Sequence, residues 1–417
     1  MLLNYLKTTL AVLLRRKFFT FVSLFAVTFT LGVLLAITAI FDYVFISSPP
    51  DVHGDRTVGL YRVTAQYDRE NGGITTGGPS FHMAKELLPG LPGVEQYSIH
   101  KVVWKAQVFF DNRRADLFVK YMDAAFWQVM QFNFLEGRPF TQDEFASASP
   151  VAVINEAVRE KYFGDEPAVG KTVEIGEKRI RIIGVVENVP ILRIFTTFSE
   201  VYLPYMLLTD YDQPREVVGM WEATIRAKTK ADIPLIREEF ARRLNEYTVA
   251  HPDYATIITR PETVVDMFAR TILSLGKSTE SMTGWLNLLF AGLAVMFMIL
   301  PAVNLVNLNT SRILERAGEI GVRKAFGASS LTLVGQFLEE NILLTIVGGI
   351  LGLAFAYLLL DFVVNAGLIP YGTFSVNYRV LLVGVLAVFV FGLLSGVLPA
   401  WRMSRMHPVD ALKGGVL

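Results

Sequence analysis

The chain of 417 residues contains no cysteine, which excludes disulfide bonds, thiolate metal sites and cysteine nucleophiles. Charged residues are scarce at 19%, whereas apolar residues make up 52%. Basic and acidic residues number 39 each, so no basic excess points to nucleic acid as a partner. The composition is too apolar for a disordered chain, and the length allows two or three domains.

Signatures of catalysis are missing as well. No H-E-x-x-H or G-x-S-x-G pattern occurs, and the five histidines are scattered along the chain. Asp143 and Glu144, like two other adjacent carboxylate pairs, would not face each other on a helix and are typical of a solvated surface. The sequence therefore predicts no enzymatic site, no metal site and no cofactor bound by this chain.

The segment Gly164–Thr172 is similar to a phosphate-binding loop but departs from it in two ways. Five residues separate its glycines, where the G-x-x-x-x-G-K-[ST] pattern has four. A strand rather than a helix is predicted to follow, so no helix N-terminus would be available for phosphate. We interpret the segment as a turn.

Long uncharged segments, by contrast, are abundant. A bilayer core of about 30 Å needs about 20 helical residues, and four uncharged segments reach that length. The first is too long for a signal-peptide apolar region of about 7–15 residues and lacks a clear cleavage site, so we interpret it as a membrane helix. The four predicted transmembrane helices are residues 18–41, 281–311, 341–360 and 380–401.

Basic residues beside these helices predict their orientation. The segments 1–17, 312–340 and 402–417 together hold 11 basic residues, whereas the short loop 361–379 holds one. Both termini and the 312–340 loop are therefore predicted to be cytoplasmic, and residues 42–280 to lie outside. The outer segment has a net charge of −6 over its 239 residues, which is ordinary for a solvated surface and indicates no substrate charge.

The outer segment has the pattern of a folded α+β domain, with a strand–helix–strand unit near each end. The first unit has strands at 60–67 and 94–104 around a helix at 80–88. The second has strands at 222–227 and 255–259 around a helix that Asp232 could cap. We expect the two units to pair into one subdomain. The apolar residues of the second helix are Leu235, Ile236, Phe240 and Leu244.

The portion between these units is rich in predicted strands, and we expect it to be an inserted subdomain. An apolar strand at 151–154 precedes a helix from about Glu156 to Phe163. Strands at 171–175 and 179–186 flank Gly176–Glu177 and predict a hairpin.

The loop after the second membrane helix mixes charged and apolar residues at helical spacing. Glu319 precedes Arg323 by four residues, which is the favourable order for an ion pair on a helix. Gly318, Gly321 and Gly327 predict a short or broken helix. The pattern leaves two interpretations open, an amphipathic linker on the membrane surface or a docking element for a cytoplasmic partner.

Polar and small residues within the membrane helices predict helix contacts. Asn304 and Asn307 are expected to face the helix bundle, because polar side chains in lipid bond across helices. Gly348 and Gly352 form a small-x-x-x-small pattern that favours close helix packing.

Six segments together carry a resemblance to a known family. Three resemble the FtsX-like permease module of MacB-type ABC transporters: GEIGVRKAFGAS (Gly318–Ser329), QFLEENILL (Gln336–Leu344) and the tail Pro399–Leu412. Three resemble the MacB periplasmic core domain: FNFLEGRPFT (Phe132–Thr141), VAVINEAVREKYFG (Val151–Gly164) and AVGKTVEI (Ala168–Ile175).

The resemblance implies a bacterial inner-membrane permease with four transmembrane α-helices and a large α+β extracytoplasmic domain between helices 1 and 2. It also implies a homodimer or pseudo-homodimer that works with two ATPase subunits, which bind the ATP and Mg. Because 17 residues precede the first helix, we expect the ATPase to be a separate chain. The implied ATPase-coupling residues are Glu315, Arg316, Glu319, Ile320, Gly321, Val322, Arg323, Lys324, Phe326 and Gly327.

Three tasks are compatible with this resemblance. The first is export or extrusion of a substrate, and the second is lipoprotein release of the LolC/LolE type. The third is mechanotransmission that regulates an envelope protein, as in FtsX itself. FtsX-type outer domains are usually much smaller than 239 residues, which favours the first two. Expected partners are a periplasmic adaptor or envelope protein and membrane lipid, but no nucleic acid.

Overall fold

In the computed structural model, the chain forms two compact units, and each is held together by contacts among its own residues. The α+β unit is Tyr43–Leu286 together with Gly367–Thr373, and the helical unit is Met1–Asp42, Asn287–Ala366 and Phe374–Leu417. The structure describes residues 17–45, 49–68, 72–110, 113–209, 211, 216–272, 283–315, 322, 326, 330–372, 379, 381–387 and 389–390.

The α-helices and strands are numbered here in chain order. The α-helices are α1 (Lys17–Phe45), α2 (Phe81–Leu87), α3 (Phe126–Val129), α4 (Gln142–Ala146), α5 (Glu156–Phe163), α6 (Ile233–Ala250), α7 (Val264–Ile272), α8 (Thr283–Glu315) and α9 (Ser330–Asn365). The strands are β1 (Thr57–Leu60), β2 (Val63–Tyr67), β3 (Ile74–Pro79), β4 (Val94–Phe110), β5 (Arg113–Met122), β6 (Phe134–Gly137), β7 (Val151–Asn155), β8 (Thr172–Ile175), β9 (Lys178–Val186), β10 (Val201–Pro204), β11 (Val218–Gly219), β12 (Trp221–Ala227) and β13 (Tyr254–Ile258). Single 3-10 turns occur at Gly54–Arg56, Ile191–Arg193, Tyr205–Leu207 and Lys230–Asp232.

The α+β unit is built on two sheets. A nine-stranded sheet has the order β1-β12-β4-β5-β10-β7-β9-β6, and β8 pairs with both β4 and β9. Its neighbours are antiparallel except at β5–β10 and β7–β9, which are parallel. A four-stranded sheet has the order β11-β3-β2-β13. The α+β class predicted for this part of the chain is therefore confirmed.

Strands from the two ends of the α+β unit lie side by side. β12 is antiparallel to β4, with Ile225 opposite Tyr97, and β13 is antiparallel to β2, with Ile257 opposite Ala65. Helices α2 and α6 cover the same apolar core as these strands. The Ser80 hydroxyl begins α2 by accepting a hydrogen bond from the Met83 amide at 3.1 Å, as expected of an N-cap serine.

Three details of the predicted strand–helix–strand units are wrong. The single strand predicted at 60–67 is two strands, because β1 pairs with β12 in the large sheet and β2 pairs with β3 in the small one. The Asp232 carboxylate does not cap α6; it accepts from the Thr229 amide at 2.9 Å and the Thr229 hydroxyl at 2.7 Å. Leu235 is 45% exposed, because the buried face of α6 is formed by Ile236, Phe240, Leu244 and Tyr247.

The middle portion is not a separate sheet, since the 17-residue strand β4 runs through both parts of the unit. Ile99, in its first half, belongs to the core shared with α2 and α6. Val108 and Phe110, in its second half, belong to a second core with β5, β8 and β9. The two halves are separated by a register shift between Val103 and Ala106, where Lys105 has a φ of 55°.

The predicted turn at Gly164–Thr172 is a turn between α5 and β8. The Gly170 amide donates to the Ile182 carbonyl at 2.8 Å, and the Lys171 amide donates to the Ala168 carbonyl at 3.1 Å. The Lys171 ammonium pairs with the Glu166 carboxylate. Because these donors already have partners, the segment lacks the open cradle of amides that a phosphate needs.

In the helical unit, long apolar helices are found where the first and third membrane helices are predicted. Within the described residues, Thr20–Phe45 and Ile342–Asn365 are long and apolar enough to cross a membrane, and Thr283–Met296 is a shorter apolar stretch of α8. Residues 381–387 are helical, but most of the predicted fourth helix lies outside the described residues. Four membrane helices therefore remain a prediction.

Candidate functional site

The segment between β9 and β10, residues 189–200, contacts the chain at two points next to the long apolar helices, and we call it the anchor loop. One point is the C-terminal end of α1, reached by Arg193. The other is the segment Gly367–Thr373, which follows α9 and which Ile191 and Glu200 contact. All of these contacts lie within the α+β unit. The anchor loop thus holds together two chain segments that are far apart in sequence.

Arg193 binds the last turn of α1 through its guanidinium. Nη2 donates to the Tyr43 carbonyl and Nη1 donates to the Pro49 carbonyl at 3.2 Å. The guanidinium carbon lies 5.2 Å from the centre of the Tyr43 ring. The final carbonyls of a helix have no partner within it and attract a cation, so this contact both satisfies and stabilises the end of α1.

Arg193 is only 5% exposed, so its charge needs compensation inside the protein. Burial lowers the pKa of Arg193, and the nearby Asp51 carboxylate and Tyr43 oppose that shift. Burial likewise raises the pKa of Asp51, while Arg193 and the Thr57 hydroxyl lower it. The charges of the buried Arg193 and the half-buried Asp51 therefore stabilise each other.

Tyr371 binds the opposite end of the anchor loop. Its hydroxyl donates to the Glu200 carboxylate, and its ring stacks on Phe198 with centroids 5.5 Å apart. The Ile191 amide also donates to the Pro370 carbonyl at 3.3 Å. Glu200 is itself held in place, because its second carboxylate oxygen accepts from the Phe118 amide at 2.8 Å.

Lys120 supports the anchor loop from the nine-stranded sheet. Its ammonium donates to the Thr196 carbonyl at 2.7 Å and to the Ile194 carbonyl at 3.2 Å. The side chain is fully buried, and burial lowers the pKa of Lys120 to about 8. A buried ammonium with two carbonyl acceptors fixes the loop against β5.

A second contact region surrounds helix α7. The Asp266 carboxylate accepts from the Thr283 hydroxyl, in the first turn of α8, at 2.7 Å. Phe268 packs edge-to-face on Phe45, at the end of α1, with centroids 4.9 Å apart. The Arg270 guanidinium pairs with Glu262, and both residues are buried. The ends of α1 and α8 are therefore both attached to α7.

A cavity of about 520 Å³ lies between the anchor loop and α7. Its charged residues balance, with three acidic and three basic side chains, so its charge selects no class of ligand. They are Asp51, Asp55, Asp266, Arg193, Lys230 and Arg237. Among the described residues, no group of three or more histidines, aspartates or glutamates could hold a metal ion.

A buried histidine and a buried glutamate lie close together near Lys120 in the same sheet. The His100 Nδ1 atom is 3.3 Å from the Glu222 carboxylate, and its Nε2 atom is 3.0 Å from the Thr224 hydroxyl. Burial lowers the pKa of His100 well below its usual value and raises the pKa of Glu222 to about 8. Burial thus favours the neutral form of each group.

This pair predicts a pH dependence of stability. The raised pKa of Glu222 means that its neutral form stabilises the folded state at low pH, and that this contribution is lost as the pH rises from about 4.5 to about 8. Glu222→Gln stays neutral, so we expect it to be about 1–2 kcal/mol more stable than the parent at pH 8 and to show a flatter melting curve against pH. Thermal unfolding of the detergent-solubilised chain between about pH 5 and pH 8 measures this.

Glu174→Gln is the matched control, because the Glu174 side chain is 49% exposed and pairs with the exposed Arg179. It should leave the pH profile unchanged. A Glu222→Gln variant with the pH profile of the parent would contradict a raised pKa of Glu222.

In the helical unit, Gly348 and Gly352 lie where α9 packs against α1. A Cβ atom on Gly348 would stand 2.6 Å from Val27 Cγ1. A Cβ atom on Gly352 would stand 3.2 Å from both the Leu31 Cβ and the Thr28 carbonyl oxygen. The Thr28 hydroxyl also donates to the Gly348 carbonyl at 3.4 Å. Two glycines one turn apart thus allow the helix backbones to approach closely.

Little of the predicted coupling loop is described. Glu315 is the last residue of α8, and Val322 and Phe326 are exposed, with the Phe326 amide donating to the Val322 carbonyl at 3.0 Å. Asn304 and Asn307 lie in α8, but their side chains are outside the described residues. Also outside are Arg316, Glu319, Ile320, Gly321, Arg323, Lys324 and Gly327.

Arg193, Lys120 and Tyr371 were not predicted from the sequence as site residues. A signal was present for the first two, because each is a single charge in an apolar run, Val189–Phe198 for Arg193 and Leu117–Met122 for Lys120. Charged residues in such runs are rarely buried without a partner. Tyr371 gave no comparable signal, since its role depends on Glu200, 171 residues away.

Two family models match the chain. The model described as MacB-like periplasmic core domain matches residues 20–243, and the model described as FtsX-like permease C-terminal matches residues 291–408. The first covers more than half of the chain. The two matches follow each other in the order that the sequence motifs predict.

Curated relatives include permeases from several bacteria. A macrolide export ATP-binding/permease protein MacB of Shewanella sp. (strain W3-18-1) is 27% identical over 73% of this chain and 44% of its own length. The uncharacterized ABC transporter permease YknZ of Bacillus subtilis is 23% identical over 78% of this chain and 77% of its own length. The chain thus spans about half the length of the MacB relatives it matches.

Solved structures with related domains also match the chain. The periplasmic region of MacB from Actinobacillus actinomycetemcomitans matches with a TM-score of 0.37 and 18% identity, over 53% of this chain and 94% of that one. The extracellular domain of YknZ matches with a TM-score of 0.35 and 20% identity, over 48% of this chain and 98% of that one.

Proposed function

Since this chain belongs to the MacB/FtsX-like family of ABC transporter permeases, we propose that it is a permease subunit that transmits ATP-driven motion to its α+β unit. In this proposal the chain is a multi-pass protein of the bacterial inner membrane. Four helices cross the membrane, both termini are cytoplasmic, and the α+β unit is periplasmic. The motion serves export or extrusion of a substrate from the periplasmic side.

The observation that carries this proposal is the attachment of three helix-flanking segments to the α+β unit. Arg193 binds the end of α1, Asp266 binds the start of α8, and Glu200 binds Tyr371 beyond α9. A short hydrogen bond to a buried partner transmits displacement better than a flexible linker does, because it leaves few rotatable bonds between the helix and the sheet. Movement of the helices would therefore displace the anchor loop and α7 directly.

The proposed assembly contains a second copy of this chain and ATP-binding subunits. Relatives named ATP-binding/permease protein support an ATP-binding partner. We assign docking to the loop containing Arg323 and Lys324, as the family resemblance implies, with ATP and Mg bound by the partner and not by this chain.

Two other tasks use the same motion. A lipoprotein-release permease would load a lipoprotein on the α+β unit, and a mechanotransmitter would hold an envelope protein there. We prefer export because relatives are named for macrolide export. The macrolide is the substrate in those proteins' names and is not assigned to this chain. A periplasmic adaptor is the expected partner for export.

Affinity purification of the tagged chain from membranes tests the assembly. Under mild detergent and with ATP trapped by vanadate, intact-complex mass spectrometry should show two copies of this chain with two ATP-binding subunits. A co-purified lipoprotein or cell-wall hydrolase would favour one of the other tasks. A chain recovered without any ATP-binding subunit would refute the permease assignment.

Charge reversal in the predicted coupling loop tests the docking assignment. In the double variant Arg323→Glu and Lys324→Glu, we expect ATPase activity of the complex to fall about tenfold, because like charges replace attractive contacts at the docking surface. The amount of chain in the membrane should stay the same. Lys413→Glu, in the predicted cytoplasmic tail, is the control and should retain activity. Full activity in the double variant would place docking elsewhere.

A further inference from the structure

Two apolar side chains stand out on the anchor loop. Within residues 191–200, all of which are described, Leu192 is 40% exposed and Phe195 is 41% exposed. Between Arg193 and Glu200, all residues except Phe195 are buried. The loop therefore buries its polar and charged residues and exposes two large apolar ones, which reverses the usual arrangement of a surface loop.

These side chains lie beside segments that continue into long apolar helices. Arg193, between them, donates to the Tyr43 carbonyl in the last turn of α1. Ile191, next to Leu192, donates to the Pro370 carbonyl five residues after α9. Both helices contain stretches that are long and apolar enough to cross a membrane. The loop is thus bonded to chain segments at the end of α1 and five residues after α9.

Aromatic residues occur at or near the ends of the long helices. Tyr43 ends α1, Trp285 begins α8, and Tyr371 follows α9. Trp285 is 64% exposed. Tyrosine and tryptophan are enriched where membrane helices meet the headgroup region, because their rings are apolar and their edges polar. The α+β unit therefore carries this signature at each of the three segments attached to the anchor loop and α7.

We propose that Leu192 and Phe195 insert into the headgroup region of the outer leaflet, so that the anchor loop is a lipid contact of the α+β unit. This inference rests on the membrane topology of the proposed function but not on its ATPase coupling. Lipid accounts for the exposed pair better than a protein partner, because a stable protein interface buries roughly 800 Å² on each side and two side chains supply only a fraction of that.

The chain has no cysteine, so a single introduced cysteine carries a spin label without background. Phe195→Cys and Leu192→Cys would be labelled in the full chain and reconstituted in phosphatidylcholine–phosphatidylglycerol nanodiscs. Electron paramagnetic resonance then compares collisions with oxygen, which concentrates in lipid, and with a nickel complex, which stays in water. Val249→Cys is the aqueous control, since Val249 is 83% exposed at the end of α6. Ile37→Cys, 46% exposed within α1, is the acyl-chain control.

We expect the oxygen-to-nickel collision ratio at 195 and 192 to be about threefold higher than at 249 and lower than at 37, which places both labels in the interfacial region. A ratio at 195 and 192 equal to that at 249, with 37 in lipid, overturns the inference and leaves the topology intact. Labels at 195 and 192 shielded from both reagents also overturn it, because protein would then cover the pair. A water-exposed label at 37 refutes the topology itself. Using two positions guards against one substitution that fails to fold.

Discussion

Replacing Arg193 with alanine is expected to lower the free energy of unfolding by about 3 kcal/mol and to uncouple α1 from the α+β unit. The substitution removes the donors to the Tyr43 and Pro49 carbonyls and takes from the half-buried Asp51 the positive neighbour that lowers its pKa most. Loss of one member of a buried charge pair costs more than the net contribution of the pair, because the remaining charge stays desolvated.

Chemical denaturation of the purified chain, followed by tryptophan fluorescence, measures the loss of stability. Arg114→Ala is the matched control, because Arg114 is 55% exposed and its partner Asp116 is exposed as well. It should change stability by less than about 0.5 kcal/mol. Equal losses of stability in the two variants would show that the contacts of Arg193 contribute no more than an exposed ion pair does.

Arg193→Lys separates stability from coupling. A lysine keeps the positive charge near Asp51, but its single ammonium lacks the planar fork that reaches two carbonyls at once. We therefore expect most of the stability to return, while substrate-dependent stimulation of the ATPase in the complex stays reduced several-fold. If Arg193→Lys restored the stimulation fully, the contact with α1 would be structural and not part of the motion.

Gly352→Ile is expected to force α1 and α9 apart. Even the Cβ atom would lie 3.2 Å from the Thr28 carbonyl oxygen and from the Leu31 Cβ, neither of which can rotate away. The remaining isoleucine atoms would overlap the α1 backbone, so relief requires the helices to separate. Overpacking of this kind typically costs 1–3 kcal/mol, and we expect a loss of about 2 kcal/mol.

The melting temperature of the chain in detergent, together with ATPase activity of the complex, measures this effect. Gly292→Ile on α8 is the control, because a Cβ atom there has no described neighbour within 4 Å. Both variants thus place an isoleucine in a long apolar helix. The isoleucine at 352 has a close neighbour, and the one at 292 has no described neighbour within 4 Å. A melting temperature of Gly352→Ile equal to that of the parent chain would show that α1 and α9 are not tightly packed at this point.

Local features of the fold could be predicted from the sequence, because their causes are local. The hairpin of β8 and β9 follows from turn residues between apolar runs, and α2 begins at a serine that caps it. The division of residues 57–67 into β1 and β2 could not be predicted, since it depends on which distant strand pairs with each. Leu235 shows the same limit, because a helix reveals its buried face only when its neighbours are known.

The candidate site was less predictable than the fold. Spacing indicated close packing at Gly348 and Gly352. The partner residues Val27, Thr28 and Leu31 are identified only by the structure. The anchor loop depends on pairs such as Glu200 and Tyr371, which are brought together only by the complete fold. The sequence motifs pointed to the cytoplasmic loop, whereas the described contacts with helix ends lie on the opposite side of the predicted membrane.

The shared strand β4 has a consequence for how the α+β unit can be divided. Its first half completes the core around α2 and α6, and its second half completes the core around β8 and β9. A cut between these halves would leave the first half of β4 on one fragment and its partner strand β12 on the other, which would expose apolar residues of the first core on both. The two halves are therefore expected not to fold as separate fragments, and protease cleavage near Lys105 should release neither of them intact.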